Sequence, residues 1–136
     1  MLARPKPIAL AMVICDTVIE DKKTGKKSLI GLFNGVSSDK VPCIHPRLNV
    51  FISLTEGNGD YTGKLKCIYA DEGKPLAEIS GPVVFTSPHQ IIELNFEIRG
   101  VPLPKYGNYR FEFFCNDEML IARKFQLSPS PLSQNT

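Results

Sequence analysis

Residues Gly107-Asn108-Tyr109-Arg110-Phe111-Glu112-Phe113 constrain the fold more than any other stretch of this chain. A glycine stands two residues before a tyrosine. Rings at Tyr109, Phe111 and Phe113 then alternate with Arg110 and Glu112. Period-two alternation puts the rings on one face of a strand and the charges on the other. The pattern predicts a core strand entered around a corner, with the Tyr109 ring packed there and its hydroxyl bonded back to nearby backbone. A strand of this kind needs a second layer to cover its rings, so two packed sheets are the expected outcome.

The rest of the chain follows the same logic, with turn signals at close intervals. A first strand is read from Ile8 to Glu20, nearly all apolar, as suits burial on both sides or passage between sheets. Asp21-Lys22-Lys23-Thr24-Gly25-Lys26 turns it into a second, Ser28 to Val36, where Gly31 and Gly35 mark a bulge or a close backbone approach. A connection from Ser37 to Pro46 follows. In the third strand Leu48, Val50, Ile52 and Leu54 oppose Asn49, Ser53 and Thr55, and Glu56-Gly57-Asn58-Gly59-Asp60 turns it as an Asn-Gly hairpin. In the fourth, Leu65, Cys67 and Tyr69 share a face. The fifth, Leu76 to Phe85, is broken by Gly81-Pro82 and reads as an edge or bulged strand. The sixth alternates Ile92, Leu94, Phe96 and Ile98 with Glu93, Asn95, Glu97 and Arg99. The corner strand is the seventh, and a hairpin at Cys115-Asn116-Asp117-Glu118 leads into the eighth, Met119 to Leu127, whose alternation slips near Arg123 as if bulged.

No segment holds a helical period. The prediction is therefore an all-β, single-domain antiparallel β-sandwich of about eight strands over residues 1–127, with a loose tail at 128–136. A tyrosine placed like Tyr109 is similar to the tyrosine corner of immunoglobulin-like sandwiches. The chain departs from antibody domains in having no Trp and in carrying Phe111 two residues beyond the tyrosine.

At 136 residues the chain can bury a core without a staple. Its net charge of +2 is close to neutral and gives no reason to expect a nucleic-acid partner, whose binding needs a concentrated basic face. Cys15, Cys43, Cys67 and Cys115 form no Cys-x-x-Cys pair and follow no zinc spacing. The apolar run from Ile8 to Cys15 is too short to span a membrane. Val13 and Ile14 are too bulky for signal processing at Cys15. The chain is expected to be cytoplasmic, with reduced thiols and no membrane partner.

If each strand crosses the sandwich once, one end collects the turns at 21–26, 56–60, 86–90 and 115–118. It then carries Asp21, Lys22, Lys23, Lys26, Glu56, Asp60, His89, Asp117 and Glu118. The other end collects 37–46, 71–75 and 100–107, with Asp39, Cys43, His45, Asp71, Glu72, Lys105 and Tyr106. The first end approaches a Ca²⁺ loop, but its lysines oppose a cation and its order matches no EF-hand. Cys43 and His45 lie two residues apart and could share a face, yet a metal needs further ligands and His89 is placed at the opposite end. Gly25-Lys26-Lys27-Ser28 lacks the earlier glycine of a phosphate-binding loop, since Glu20 stands there. No Gly-x-Ser-x-Gly occurs, and Glu93 and Glu97 read as solubility residues. Catalytic, cofactor-binding and metal-binding residues are assigned to none of these positions.

Several segments carry a resemblance over nearly the whole chain: Cys15-Asp16-Thr17-Val18-Ile19-Glu20-Asp21, Thr24-Gly25-Lys26-Lys27-Ser28-Leu29-Ile30-Gly31-Leu32-Phe33, His45-Pro46, Leu54-Thr55-Glu56-Gly57, Gly107-Asn108-Tyr109 and Ile121-Ala122-Arg123. Together they resemble an uncharacterised family of small bacterial proteins. The resemblance implies a bacterial origin and a compact β fold, and it brings no catalytic or binding residues.

Three functional readings remain. The first is a non-enzymatic interaction or structural module with a protein partner, self or other. It would use its sheet edges and a patch at Phe51 and Phe114, which are out of phase with their strands. The second is a small-ligand or metal-binding sandwich working through one loop end. The third is a hydrolase built on Cys43 and His45, which requires an activated thiol.

Overall fold

The computed structural model describes residues 4–131 and contains nine strands in two sheets. These are β1 (Ile8–Glu20), β2 (Lys27–Leu32), β3 (Gly35–Ser38), β4 (Cys43–Thr55), β5 (Gly59–Tyr69), β6 (Lys74–Phe85), β7 (Ile92–Leu103), β8 (Gly107–Cys115) and β9 (Glu118–Pro129). One sheet has the order β2-β1-β4-β7 and the other β3-β9-β8-β5-β6. The alternation in β4, β5 and β8 does what the sequence predicts. Leu48, Val50, Ile52 and Leu54 meet Leu65, Cys67, Tyr69, Tyr109, Phe111 and Phe113 in one buried cluster. Burying side chains of this size stabilises by roughly 1.5–3 kcal/mol each, which is the main force holding the sheets together.

The corner is present. The Tyr109 hydroxyl donates to the Lys105 carbonyl at 2.5 Å and accepts from the Lys105 N–H at 3.2 Å. The Tyr109 ring stacks on Phe125 with centroids 5.3 Å apart and leans on Tyr69 at 4.9 Å. Two more hydroxyls secure the same loop: Tyr69 donates to the Tyr106 carbonyl and Tyr106 to the Ser38 carbonyl. Gly107 has a φ of 132°, and a Cβ there would strike the Asp71 carboxylate, so the position before the corner accepts only glycine.

Several expectations are corrected. There are nine strands because the segment read as Ser28 to Val36 breaks at Phe33-Asn34, between its two glycines. Its first part stays beside β1, while its second crosses to the other sheet as β3. There β3 lies parallel to β9, so the sandwich is not wholly antiparallel. The Glu56-Gly57-Asn58 turn is a crossover between sheets and not a hairpin, since β4 and β5 belong to different sheets. The long connection ends early, because Cys43, Ile44 and His45 already pair with Leu103, Pro102 and Val101. The β9 irregularity lies opposite Phe113/Phe114, where the register skips Leu120. Arg123 sits in regular register opposite Phe111 and sends its guanidinium to Asn34 Oδ1 at 2.7 Å. The last strand runs to Pro129, pairing Ser128 and Pro129 with Ser37 and Ser38. Residues 132–136 of the expected tail lie outside the described residues.

The first strand divides its length. Ile8 to Cys15 pairs with β4, and Cys15 to Glu20 pairs with β2 as a hairpin. Met12, Ile14 and Cys15 are buried, whereas Ile8, Leu10 and Ile19 are about half exposed, so the strand is not enclosed on both sides throughout.

Candidate functional site

The loops at 56–60, 86–90 and 115–118 do converge. The Glu56 N–H donates to the Pro88 carbonyl at 3.1 Å, and the Asn116 N–H donates to the Thr62 carbonyl at 2.9 Å. Arg4 donates to the Asp60 carbonyl, and its guanidinium lies 5.9 Å from the centroid of the Tyr61 ring. Tyr61 in turn donates to the Pro5 carbonyl at 2.6 Å and accepts from the Asn58 N–H. The carbonyl that a cation would seek is thus held by a guanidinium from the N-terminal segment. Asp21 spends its Oδ1 on the Thr24 and Lys23 N–H groups, which hold its carboxyl below the usual range.

At the other end, Asp71, Glu72, Lys105 and Tyr106 come together around the corner. Lys105 Nζ meets Glu72 Oε1 at 2.5 Å, and this bond, followed by the Glu72 charge, raises the Lys105 pKa. Asp71 accepts from the Asn108 backbone and side chain. Cys43 instead lines an apolar groove with Pro42, Leu76, Leu103 and Pro104. The His45 ring faces Phe33 at a centroid distance of 5.9 Å. All four cysteines are free thiols. Burial pushes the Cys67 thiol up to about 12 and the Cys115 thiol to about 11. Among the described residues no three His, Cys, Asp or Glu side chains gather into a metal-holding group.

The proposed Phe51/Phe114 patch is corrected. Phe51 points away from the core yet is only 8% exposed, and its neighbour Asn49 is 4% exposed. The β1–β2 hairpin lies over this side of the sheet. Asn49 Nδ2 donates to the Asp16 carbonyl at 2.8 Å, and Arg47 Nη2 donates to Thr17 Oγ1 at 3.0 Å. Lys27, just after the 21–26 turn, reaches Glu93 of β7 at 3.0 Å. That last bond ties the turn to the β7 flank. Phe114 is half-buried under the Lys66 ammonium, which stands 4.9 Å from its ring centroid.

One group of exposed apolar side chains lies on the hairpin. Thr17 pairs with Ile30, Ile19 with Ser28 and Cys15 with Leu32, so Ile19, Ile30 and Leu32 share one face. They are 49%, 48% and 62% exposed, whereas Val18 and Leu29 on the other face are half-buried. The outer edge of β2 carries no partner strand among the described residues. The sequence signal for this patch is the missing alternation of the first strand: one strand with apolar residues on both faces needs cover on both.

The fold and its surfaces thus define an all-β domain of two packed sheets with an overlying hairpin. The chain belongs to DUF6941, a family of unknown function that matches residues 10–128. No curated protein matches the sequence. A solved structure, Pseudomonas fluorescens alkylpurine DNA glycosylase AlkC bound to DNA containing an abasic site analog, is similar at 15% identity and a TM-score of 0.46. The likeness covers 69% of this chain and 27% of that one. At that level it carries no argument about activity. No helix among the described residues is long and apolar enough to cross a membrane.

Proposed function

We propose that the chain is a non-enzymatic interaction module of the bacterial cytoplasm that docks a protein partner along the β1–β2 hairpin. The observation that carries this reading is the exposed face of Ile19, Ile30 and Leu32 beside the free edge of β2. An unpaired edge offers backbone hydrogen bonds to an extended segment, and flanking aliphatic side chains add apolar contact. Supporting a binding role over a hydrolase built on Cys43 and His45, Cys43 lines an apolar groove while the His45 ring is engaged with Phe33. Four unpaired thiols suit a reducing compartment.

The test is the pair Ile30→Lys and Leu32→Lys, set beside Met119→Lys at another exposed apolar position. All three should fold like the parent chain by circular dichroism. The two hairpin variants should lose the protein that co-purifies with the parent from its native host, and Met119→Lys should keep it. Light scattering on the purified chain separates self-association from a foreign partner. If both hairpin variants retain the same partner at the same yield, the hairpin is not the docking face.

A further inference from the structure

The outward face of the second sheet holds a depression of about 920 Å³ running between β8 and β9 toward Asn34 and Ala70. Its two central side chains are Arg110 and Lys124, which stand directly opposite one another across the strand pair. Like charges in directly opposed positions destabilise a sheet, and here the Glu112 carboxylate offsets the Arg110 charge while nothing among the described residues offsets that of Lys124. Arg110 is held in line by its own strand, Nε donating to Glu112 Oε2 at 2.6 Å. That leaves the terminal guanidinium nitrogens for other acceptors. Lys124 has no hydrogen bond or ion pair among the described residues, and it is exposed.

The surroundings are prepared as well. The next opposed pair, Asn108 and Gln126, is joined by a Gln126 Nε2 to Asn108 Oδ1 bond of 2.9 Å. Arg123 closes one side, anchored to Asn34 Oδ1 at 2.7 Å. Ala122, opposite Glu112, is too small to fill the space beside the two cations. Asp71 is the carboxylate at the rim, and both its oxygens already accept from Asn108. A concave surface with three cationic side chains and oriented amides is complementary to an anion that can accept several charge-assisted hydrogen bonds. The volume lies in the range that small-molecule ligands occupy.

We infer that this depression binds a small oxyanion ligand, carrying phosphate or several carboxylates, gripped by Arg110 and Lys124 and oriented by Asn108 and Gln126. The site is separate from the β1–β2 hairpin, so its failure would leave the docking reading intact, and the reverse holds too.

The test uses the full chain and three probes: inorganic phosphate, pyrophosphate and citrate, each against sodium chloride at matched ionic strength. Thermal melting and amide chemical shifts provide the readouts. At least one probe should raise the melting temperature above the chloride control and move the amides of Arg110 and Lys124. Phosphate-bearing and carboxylate-bearing ligands are distinguished by whether pyrophosphate or citrate acts at the lower concentration. Lys124→Gln should melt higher than the parent without ligand, because the opposed charges are gone, and should bind the active probe at least tenfold more weakly. Lys22→Gln, which removes the same charge from the 21–26 turn, should bind like the parent. The inference is overturned if no probe exceeds chloride, or if Lys124→Gln binds as tightly as Lys22→Gln.

Discussion

Replacing Tyr109 by Phe removes one oxygen and keeps the ring. Packing against Phe125 and Tyr69 is therefore retained, and the measurement isolates the hydroxyl. That oxygen makes two bonds, a donation to the Lys105 carbonyl at 2.5 Å and an acceptance from the Lys105 N–H at 3.2 Å. A net hydrogen bond is worth about 0.5–1.5 kcal/mol, and two to one oxygen do not simply add. The Lys105 residue is exposed, so its freed backbone groups can turn to water and escape the full penalty of burial without a partner. The expected loss is about 1–1.5 kcal/mol, equivalent to roughly 3–6 °C in melting temperature for a domain of this size. Urea unfolding of parent and variant with a common m-value is the assay, since an altered slope would mean a changed denatured state. Tyr69→Phe makes a useful companion, losing the bond to the Tyr106 carbonyl from the same loop. The two rings touch, so the double variant should depart from additivity. An unchanged unfolding curve for Tyr109→Phe would mean that the corner hydroxyl is bystander chemistry. A loss above about 3 kcal/mol would mean that Lys105 is stranded without water, against its exposure.

Gly57→Ala should destabilise by about 1–3 kcal/mol by thermal melting, because the new methyl group would be driven into the Phe85 ring where the chain crosses between sheets. Thiol labelling at neutral pH should modify Cys43 and leave Cys67 and Cys115 unreacted until the protein unfolds, as burial of the latter pair demands. The same burial makes stability fall in alkali. The folded chain keeps the Cys67 proton up to about 12, whereas the unfolded chain releases it above its ordinary 9.0. Stability is therefore whole below that value and declines above it, by roughly 1.4 kcal/mol per pH unit from this thiol, and Cys67→Ala should flatten the decline in urea titrations. Phe51→Ala should cost about 3–5 kcal/mol although Phe51 lies outside the main core, and a surface-like loss below about 1 kcal/mol would show that the hairpin does not cover it.

The parts of the fold that were legible in the sequence are those where one face of a strand is buried and the other is wet. β7 is the clearest: Ile92, Leu94, Phe96 and Ile98 turn inward and Glu93, Asn95, Glu97 and Arg99 outward. Three features escaped that logic. At Phe33-Asn34 the chain changes sheet between Gly31 and Gly35, glycines that read equally well as a bulge within one strand. At the start of β4, Pro42 and Pro46 read as loop, because proline cannot serve a central ladder. Pairing with β1 stops at Asn49, however, which leaves the β1 side of Pro46 as an edge where no donor is needed. Arg123 looked like a slip in alternation because a charge stands in an inward register position. Its long side chain carries the guanidinium round to Asn34, so the strand stays regular. Of the surfaces, the hairpin patch could be anticipated only from the missing alternation of β1. The Arg110–Lys124 opposition needed the β8–β9 register, which no local pattern specifies.

The hairpin explains why two aromatic residues with the same sequence signature have different fates. Phe51 and Phe114 both stand out of phase, each on the face of its strand that should be wet. Over β4 the chain supplies its own cover, because β1 continues past the sheet and returns as β2, tied down by Arg47, Asn49 and Glu93. Over β8 no such layer exists among the described residues, and the ring is shielded by a single ammonium from Lys66. Covering Phe51 has a consequence: the covering hairpin must itself be apolar enough to pack inward through Val18 and Leu29, and its other face then carries Ile19, Ile30 and Leu32 into solvent. Ile19 and Ile30 are about half exposed and Leu32 more so, so a hairpin needed only as a lid could carry polar residues at these three positions with little loss of buried apolar area. Their aliphatic character is therefore not required by the fold, and that is the physical ground for the proposal that this face, before any loop, docks a partner.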